Sequence, residues 1–140
     1  MSNSDRLRVE DLMTTAVIAV KAKDSMARAV ENLRLADVRH LPVVDDKEHV
    51  IGVLSNRDLF RSPPPPGQPL RVADVMTRMV VTVTPDTPAH EAAELMLERK
   101  IGSLPVINDE EKLVGVITET DFLQVAYQAL LGKRIRRRVD

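Results

Sequence analysis

Residues 41–58 read LPVVDDKEHVIGVLSNRD, and residues 104–121 read LPVINDEEKLVGVITETD. Each stretch has two short apolar runs rich in valine and isoleucine on either side of a polar segment, and this pattern predicts an antiparallel hairpin. Each stretch ends with a hydroxyl residue followed three positions later by aspartate, a spacing that is typical of a helix start. We therefore expect the same hairpin-to-helix unit twice in the chain.

The duplication extends beyond these two stretches. Residues 9–60 align with residues 72–123 without a gap at an offset of 63 positions, and about a third of the aligned positions are identical. The tetrapeptide DLMT at residues 11–14 recurs as DVMT at residues 74–77. Self-similarity at a fixed period indicates a duplicated structural unit.

Each copy begins with a run rich in β-forming residues, at residues 17–20 and 80–83. An amphipathic helix follows, with Thr87 as the expected N-cap and Pro88 as the first helical residue in the second copy. The apolar spacing predicts that its buried face comprises Met26, Ala29, Val30 and Leu33 in the first copy and Ala89, Ala92, Ala93, Met96 and Leu97 in the second. Each copy then has the order β-α-β-β-α, an α/β fold of the α+β type.

The predicted domain boundaries follow from the duplication. The first repeat spans residues 9–61 and the second spans residues 71–126. Residues 62–70 include five prolines, which fix φ and remove backbone donors, so this segment is expected to be an extended linker. Residues 127–140 hold the end of a helix and a basic tail. Because a unit of about 50 residues buries little surface alone, we expect the copies to pack as one pseudo-twofold module.

The composition argues against several functional classes. The chain has no cysteine, which excludes disulfides, thiolate metal sites and a cysteine nucleophile. Its histidines, His40, His49 and His90, have no metal-ligand spacing, and its five glycines form no phosphate-binding loop. We therefore expect neither a metal site nor an enzyme. No signal-like segment and no run of about 18 apolar residues is present, which favours a cytoplasmic protein without a membrane span.

The charge is distributed unevenly along the chain. The net charge is -1, but residues 133–140 carry +4 and the preceding residues carry -5. An apolar helix is predicted from Phe122 to Leu131, ended by Gly132, and it suits either internal packing or a dimer interface. The basic tail after it could complement the helix C-terminus or bind nucleic acid, but aromatic residues make up only 2% of the chain, so nucleic acid is the weaker interpretation.

A DLMT-like opening, an LPVV or LPVI run and a closing hydroxyl-x-x-Asp sequence, duplicated in tandem, resemble the pair of cystathionine-β-synthase (CBS) domains also called a Bateman module. The resemblance spans about residues 9–126. It implies a regulatory module that senses AMP, ADP, ATP or another adenosyl ligand as effector, in clefts between the repeats, with no obligatory cofactor. A homodimer and a regulated partner protein are also expected.

The resemblance also implies particular site residues. In the family the hydroxyl residue contacts phosphate or ribose and the aspartate accepts hydrogen bonds from the ribose hydroxyls, which makes Ser55 with Asp58 one half-site and Thr118 with Asp121 the other. Basic residues near these positions would reach phosphate, and residues after the DLMT motif would offer backbone groups to adenine. The candidates for phosphate are Arg39, His40 and Arg57, and those for adenine are Thr14, Val17, Met79 and Val80.

Other interpretations stay open at this point. The hydroxyl-x-x-Asp spacing is also a capping-box pattern that any helix can use, and exposed arginines are often simply solvated. The chain could be a structural dimerisation module without ligand. It could also be a nucleic-acid-linked regulator that acts through its basic tail.

Overall fold

The computed structural model describes residues 6–36, 39–55, 57–58, 70–78 and 80–132. The linker residues 62–69, Met79 and the basic tail 133–140 lie outside the described residues. The elements in chain order are helix α1 (Val9–Leu12), strand β1 (Val20–Lys21), α2 (Met26–Ala36), β2 (His40–Val44), β3 (Val50–Ser55), α3 (Val72–Val75), α4 (Ala89–Arg99), β4 (Ser103–Ile107), β5 (Leu113–Thr118) and α5 (Glu119–Leu130). The predicted mixed α/β architecture is confirmed.

Both predicted hairpins are present. Strands β2 and β3 pair antiparallel, with Leu41 opposite Leu54, and β4 pairs with β5 in a second sheet. The β-rich runs that open each copy pair only at their ends. Val20 in β1 runs parallel to β2 opposite Val43, and Val83 makes an isolated parallel bridge to Val106.

The turn of the first hairpin is held by its own polar groups. The backbone N–H groups of His49 and Lys47 donate to Asp45 Oδ1 at 3.0 and 2.9 Å, and the His49 bond in particular holds the pKa of Asp45 below its ordinary value. The Lys23 and Lys21 ammonium groups, each 3.1 Å from Asp46 Oδ1, lower the pKa of Asp46 in the same way. Asp45 and Asp46, whose pKa values are lowered, lie at the turn of the hairpin, at the opposite end from Ser55.

The chain divides into two compact units that do not follow the repeat boundaries. Unit 1 contains Met1–Val17, Val81–Glu110 and Val114–Asp140, and unit 2 contains Ile18–Val80 and Glu111–Leu113. Each unit therefore combines the helix and hairpin of one repeat with the short opening helix of the other. The repeats describe the duplication, whereas the units describe the packing.

In unit 1 the opening helix α1 of the first repeat joins elements of the second. Val9 N donates to Thr87 O and Ala89 N donates to Leu7 O, both at 2.8 Å. Beyond the helix, Thr14 and Val116 exchange two backbone hydrogen bonds of 2.9 and 3.0 Å. The buried core mixes both repeats and consists of Val9, Leu12, Val83, Ala89, Ala92, Met96, Leu104, Val106 and Ile117.

Unit 2 repeats this arrangement at equivalent positions. Val72 N donates to Asp24 O and Met26 N donates to Leu70 O, both at 2.9 Å, and Thr77 and Val53 exchange two bonds of 2.9 Å. Each bond corresponds to one in unit 1 at the offset of 63. The buried core consists of Val20, Met26, Ala29, Leu33, Leu41, Val43, Leu54, Val72 and Met76.

The helix faces are narrower than the apolar pattern predicts. Met26, Ala29 and Leu33 of α2 are buried, as are Ala89, Ala92 and Met96 of α4. Val30 and Leu97 are exposed and Ala93 is only half-buried, so the predicted burial of Val30 and Leu97 is wrong and that of Ala93 is partial. In each unit the sheet covers a single stripe of helix residues at spacing i, i+3 and i+7. Val30 and Leu97 lie beside that stripe and contact solvent.

The predicted start of α4 is also wrong by one position. Pro88 is the N-cap, with the non-helical backbone angles φ -56° and ψ 135°, and the helix begins at Ala89. The Thr87 hydroxyl is not used to cap the helix, because it accepts a hydrogen bond from Thr84 N at 3.0 Å in the preceding turn. Gly132, by contrast, follows α5 with φ 71° and donates to Ala129 O at 3.0 Å, as its predicted role at the helix end requires.

Gly52 and Gly115 lie where a methionine from an opening segment crosses the sheet. A Cβ atom on Gly52 would lie 2.7 Å from Met76 Sδ and 3.0 Å from Thr77 O, and one on Gly115 would lie 2.8 Å from Met13 Sδ and 3.0 Å from Thr14 O. Both hairpins therefore need glycine at this position so that the opening segment can pack against the strand.

We expect Gly52→Ala to destabilise the protein by about 1–3 kcal/mol, because the added methyl overpacks a closely filled contact. Urea unfolding of the variant measures this. In a Met76→Ala background the same substitution should cost less, since the Sδ contact is gone. An equal cost in both backgrounds would show that the thioether is not what excludes the methyl group.

Candidate functional site

Two carboxylates are buried in the described part of the chain. Asp58 is 3% exposed and Asp121 is 6% exposed, and they occupy equivalent positions just after β3 and in the first turn of α5. A buried carboxylate is expensive unless hydrogen bonds or charges stabilise it. Their burial at both copies of one motif marks these positions as candidates for function.

Both aspartates cap the backbone. Ser55 N donates to Asp58 Oδ2 at 2.9 Å, and Asp58 N donates to Ser55 Oγ at 3.4 Å. In the second copy Thr118 N donates to Asp121 Oδ2 at 2.8 Å, and the Thr118 hydroxyl donates to the same oxygen at 3.2 Å. The capping interpretation is therefore confirmed. A carboxylate has about four acceptor positions in all, so a capping bond and other hydrogen bonds can coexist on one group.

Capping alone does not require burial. Asp11 and Asp74 cap α1 and α3 in the same way, with Arg8 N and Arg71 N donating to their Oδ2 atoms at 2.8 and 2.9 Å. Asp74 is exposed and Asp11 is only half-buried. Asp11, Asp58, Asp74 and Asp121 thus share one local role, and of these four only Asp58 and Asp121 are also buried.

In unit 2, the candidate residues of the first repeat are related to Ser55 and Asp58 by sheet register, by chain position or by shared membership of the unit. His40, at the start of β2, lies opposite Ser55 in the sheet register, and it is half-buried. Arg39 and Arg57, each next to one of these residues in the chain, are exposed. Val80, half-buried, belongs to the same unit, and Met79 lies outside the described residues.

In unit 1, the segment after α1 lies beside the closing motif of the second repeat. The backbone bonds between Thr14 and Val116 place Thr14 next to the strand that leads to Thr118 and Asp121. Val17, half-buried, ends the same segment of the unit. The structure thus brings Thr14 to the strand that leads to the half-site of the other repeat and places Val17 in the same unit, a grouping that the sequence did not predict.

Sequence reasoning also missed three residues. Thr77 pairs with Val53 as Thr14 pairs with Val116, and the offset of 63 from Thr14 could have identified it. Gly102 O accepts a hydrogen bond from Glu119 N at 3.1 Å, which places the residue before β4 directly against the start of α5. No sequence motif marks Gly102 or Glu119, because their proximity arises from the hairpin.

Metal binding and membrane insertion find no support within the described ranges. No three histidine, aspartate or glutamate side chains there gather in a way that could hold a metal ion. None of the helices there is both long enough and apolar enough to cross a bilayer.

Comparison with known proteins reveals relatives with this architecture. The chain is 31% identical over 117 residues to inosine-5'-monophosphate dehydrogenase of Methanocaldococcus jannaschii, covering 84% of this chain and 23% of that protein. Three such relatives, among them the magnesium transporter MgtE of Thermus thermophilus, are matched over only about a quarter of their length.

Two solved structures are similar in both fold and sequence. The crystal structure of CBSX2 in complex with AMP superposes with a TM-score of 0.78 at 30% identity, covering 86% of this chain and 97% of that one. The cytosolic domain of the Mg²⁺ channel MgtE in complex with ATP gives a TM-score of 0.71 at 37% identity, covering 81% of this chain and 46% of that one.

The family model for the CBS domain matches the chain twice, at residues 9–64 and 72–127. These two matches cover most of the chain and coincide with the internal duplication. The chain therefore belongs to the CBS domain family and carries two CBS domains in tandem.

Proposed function

We propose that this chain is a regulatory module that binds an adenine nucleotide or another adenosyl ligand, with one site in each unit. The observation that carries the proposal is the pair of buried capping aspartates, Asp58 and Asp121. A carboxylate is well suited to hold two adjacent ribose hydroxyls through charge-assisted hydrogen bonds. The complexes of CBSX2 with AMP and of the MgtE cytosolic domain with ATP support this choice of ligand.

The other candidate residues have complementary roles in this proposal. Ser55 and Thr118 contact ribose or phosphate through their hydroxyl groups. Arg39, His40 and Arg57 interact with phosphate in unit 2. The backbone groups that contact adenine come from the segments that contain Thr14 and Val17 in one site and Met79 and Val80 in the other. These segments contribute backbone polar groups, so the identity of their side chains matters less.

We further propose that the chain acts without catalysis, in the cytoplasm, on a partner protein that responds to the bound ligand. The two CBS domains occupy residues 9–64 and 72–127, and the sequence has no motif that singles out a Ser-His-Asp set. A bound ligand changes the conformation of the module only if it binds one conformation more tightly than another. The partner protein then responds to that change.

A thermal-shift panel tests the proposal most directly. The panel contains AMP, ADP, ATP, adenosine and S-adenosylmethionine, with GMP as a control for nucleotides in general. At about 100 times its dissociation constant, a ligand adds about 2.7 kcal/mol to the stability, which raises the melting temperature measurably. If no adenosyl compound raises the melting temperature, or if GMP raises it equally, the proposal is wrong.

A dimerisation role is the second candidate, because α5 exposes an apolar stripe. Leu123, Tyr127 and Leu130 are 69%, 60% and 86% exposed, and they recur at i, i+4 and i+7 on one helix face. Contiguous exposed apolar surface of this kind marks interaction sites. We expect this face to pair with a second copy of the chain whether or not ligand is bound.

We expect a homodimer at micromolar concentration in sedimentation experiments, and we expect Leu123→Gln with Leu130→Gln to shift it towards monomer. The dimer is expected to weaken because these two substitutions remove apolar contacts at the centre of the interface. Leu97→Gln, on the exposed flank of α4, serves as the control for a lost surface leucine. A wild-type protein that sediments as a monomer contradicts the expectation, and so does an equal effect of the control.

Nucleic acid is not the partner that we propose. The basic tail supplies about five charges, and so few phosphate contacts give weak, salt-sensitive attraction. Stacking platforms are nearly absent, since the chain has one tyrosine, two phenylalanines and no tryptophan.

A further inference from the structure

The two candidate sites are equivalent in geometry but opposite in charge. Positions 39, 40, 56 and 57 of the first repeat hold Arg, His, Asn and Arg, whereas the equivalent positions 102, 103, 119 and 120 hold Gly, Ser, Glu and Thr. With histidine neutral, the first set carries a charge of +2 and the second carries -1. The capping aspartates themselves are the same in both.

Positions 39, 40 and 57 lie in unit 2 with Asp58, positions 102, 103, 119 and 120 lie in unit 1 with Asp121, and position 56 lies outside the described residues. In unit 2, His40 lies opposite Ser55 in the sheet, and Arg57 directly precedes Asp58. In unit 1, Gly102 O accepts a bond from Glu119 N, which puts the residue equivalent to Arg39 beside the start of α5. Arg39, Arg57, Glu119 and Thr120 are all exposed, so none of these side chains is enclosed in the core of its unit.

This difference in charge matters most for the part of a ligand that lies beyond the ribose. A phosphate carries negative charge and is stabilised by arginine, which can form two parallel hydrogen bonds with it. Beside Glu119 and Asp121 the same phosphate is repelled. An uncharged or cationic substituent on the ribose avoids this repulsion.

We infer that the two sites take different classes of ligand, an inference that rests on the proposed function. The site in unit 2, at Ser55 and Asp58, binds phosphorylated adenosine. The site in unit 1, at Thr118 and Asp121, binds an adenosyl compound without negative charge, such as adenosine itself or a sulfonium derivative of it. The module therefore binds two different classes of metabolite, one at each site, and not the same metabolite at both sites.

Calorimetric titration with AMP and with adenosine separates the sites, because the two compounds differ only in the phosphate. At the unit 2 site we expect AMP to bind at least about tenfold more tightly than adenosine, as a bond between charged groups allows. Asp58→Ala should remove this tight AMP binding and leave adenosine binding at unit 1. Asp121→Ala should do the reverse.

A reciprocal exchange of one residue tests the cause. Arg57→Thr installs the residue of the second repeat and should lower the affinity for AMP while leaving that for adenosine unchanged. Thr120→Arg should create a second AMP site and raise the stoichiometry of AMP binding from one to two. Both positions are exposed, so the fold should tolerate either change.

The outcomes distinguish the inference from the proposed function. If adenosyl ligands bind but Arg57→Thr leaves the ratio of AMP to adenosine affinity unchanged, the inference is wrong and the proposed function stands. The inference is also wrong, and the proposed function stands, if Asp121→Ala removes tight AMP binding and Asp58→Ala does not. If neither AMP nor adenosine nor S-adenosylmethionine binds to the wild-type protein, both are wrong.

Discussion

Replacing Asp58 or Asp121 by alanine is expected to weaken binding of the preferred adenosyl ligand of that site at least about tenfold, while the same change at Asp74 leaves affinity intact. All three carboxylates accept a hydrogen bond from a backbone N–H three residues earlier, at 2.8 to 2.9 Å. Only Asp58 and Asp121 are also buried. All three variants therefore lose a capping carboxylate, but only the Asp58 and Asp121 variants lose one that is buried. Comparing them separates the two effects.

The expected magnitudes separate the two roles. Loss of a cap costs about 0.5–2 kcal/mol of stability, and this cost should appear in all three variants. Each hydrogen bond between the ribose and a charged acceptor contributes about 1.5–3 kcal/mol to binding, and this loss should appear only at Asp58 and Asp121. The folded protein at a temperature well below its melting point is the species to titrate, so that the stability cost does not enter the affinity.

Calorimetric titration of the three variants provides the measurement. Asp58→Asn is a useful addition, because asparagine keeps an acceptor oxygen for Ser55 N but removes the charge that strengthens the ribose bonds. We expect it to retain more stability than Asp58→Ala while still losing affinity. Unchanged affinity in both Asp58→Ala and Asp121→Ala would remove these aspartates from the site and leave them as caps.

The elements that depend on local sequence were predictable. The hairpins follow from short apolar runs around polar turns, and the capping role of Asp58 and Asp121 follows from their distance from Ser55 and Thr118. Both signals lie within a few residues, so no long-range contact has to be known. The family resemblance rested on the same stretches.

The assignment of the opening helices to units could not be predicted. Because α1 and α3 have nearly the same sequence pattern, an apolar face on α1 fits the hairpin of either repeat. Periodicity carries no information that separates the two pairings. The backbone hydrogen bonds between Val9 and Thr87 and between Val72 and Asp24 decide it, and they are visible only in the structure.

The exposed apolar residues were missed for a related reason. Val30 and Leu97 continue the apolar pattern of their helices, but whether a flanking residue is buried depends on how wide a surface the sheet presents. The same uncertainty applied to α5, where Leu123, Tyr127 and Leu130 follow the apolar pattern and are exposed.

The packing of the units leads to the second large effect, a difference between two fragments of equal length. Residues 18–80 contain nearly all of unit 2, including α3, and lack only Glu111–Leu113. Residues 1–63 contain the whole first repeat but lack α3. We expect the fragment 18–80 to fold cooperatively and the fragment 1–63 to remain largely unfolded, although the second matches the boundaries of the repeat.

The expected difference is large compared with the stability available. The fragment 1–63 lacks Val72 and Met76, which are buried in unit 2, and each such side chain contributes roughly 1.5–3 kcal/mol. It also lacks the partners of Met26 N, Asp24 O and Ala22 O, which bond to Leu70, Val72 and Ala73. A domain of about 60 residues has only about 3–9 kcal/mol in total, so these losses alone can unfold it.

Circular dichroism in a urea series, together with the dispersion of amide resonances, distinguishes the fragments. Val72→Ala in the fragment 18–80 is the matched control, since it deletes buried methyl groups at the contact that the fragment 1–63 lacks, and it should shift the urea midpoint downwards. If α1 can substitute for α3 within one repeat, the fragment 1–63 will unfold as cooperatively as 18–80. That result would mean that the division into units depends on both repeats being present and is not a property of either half.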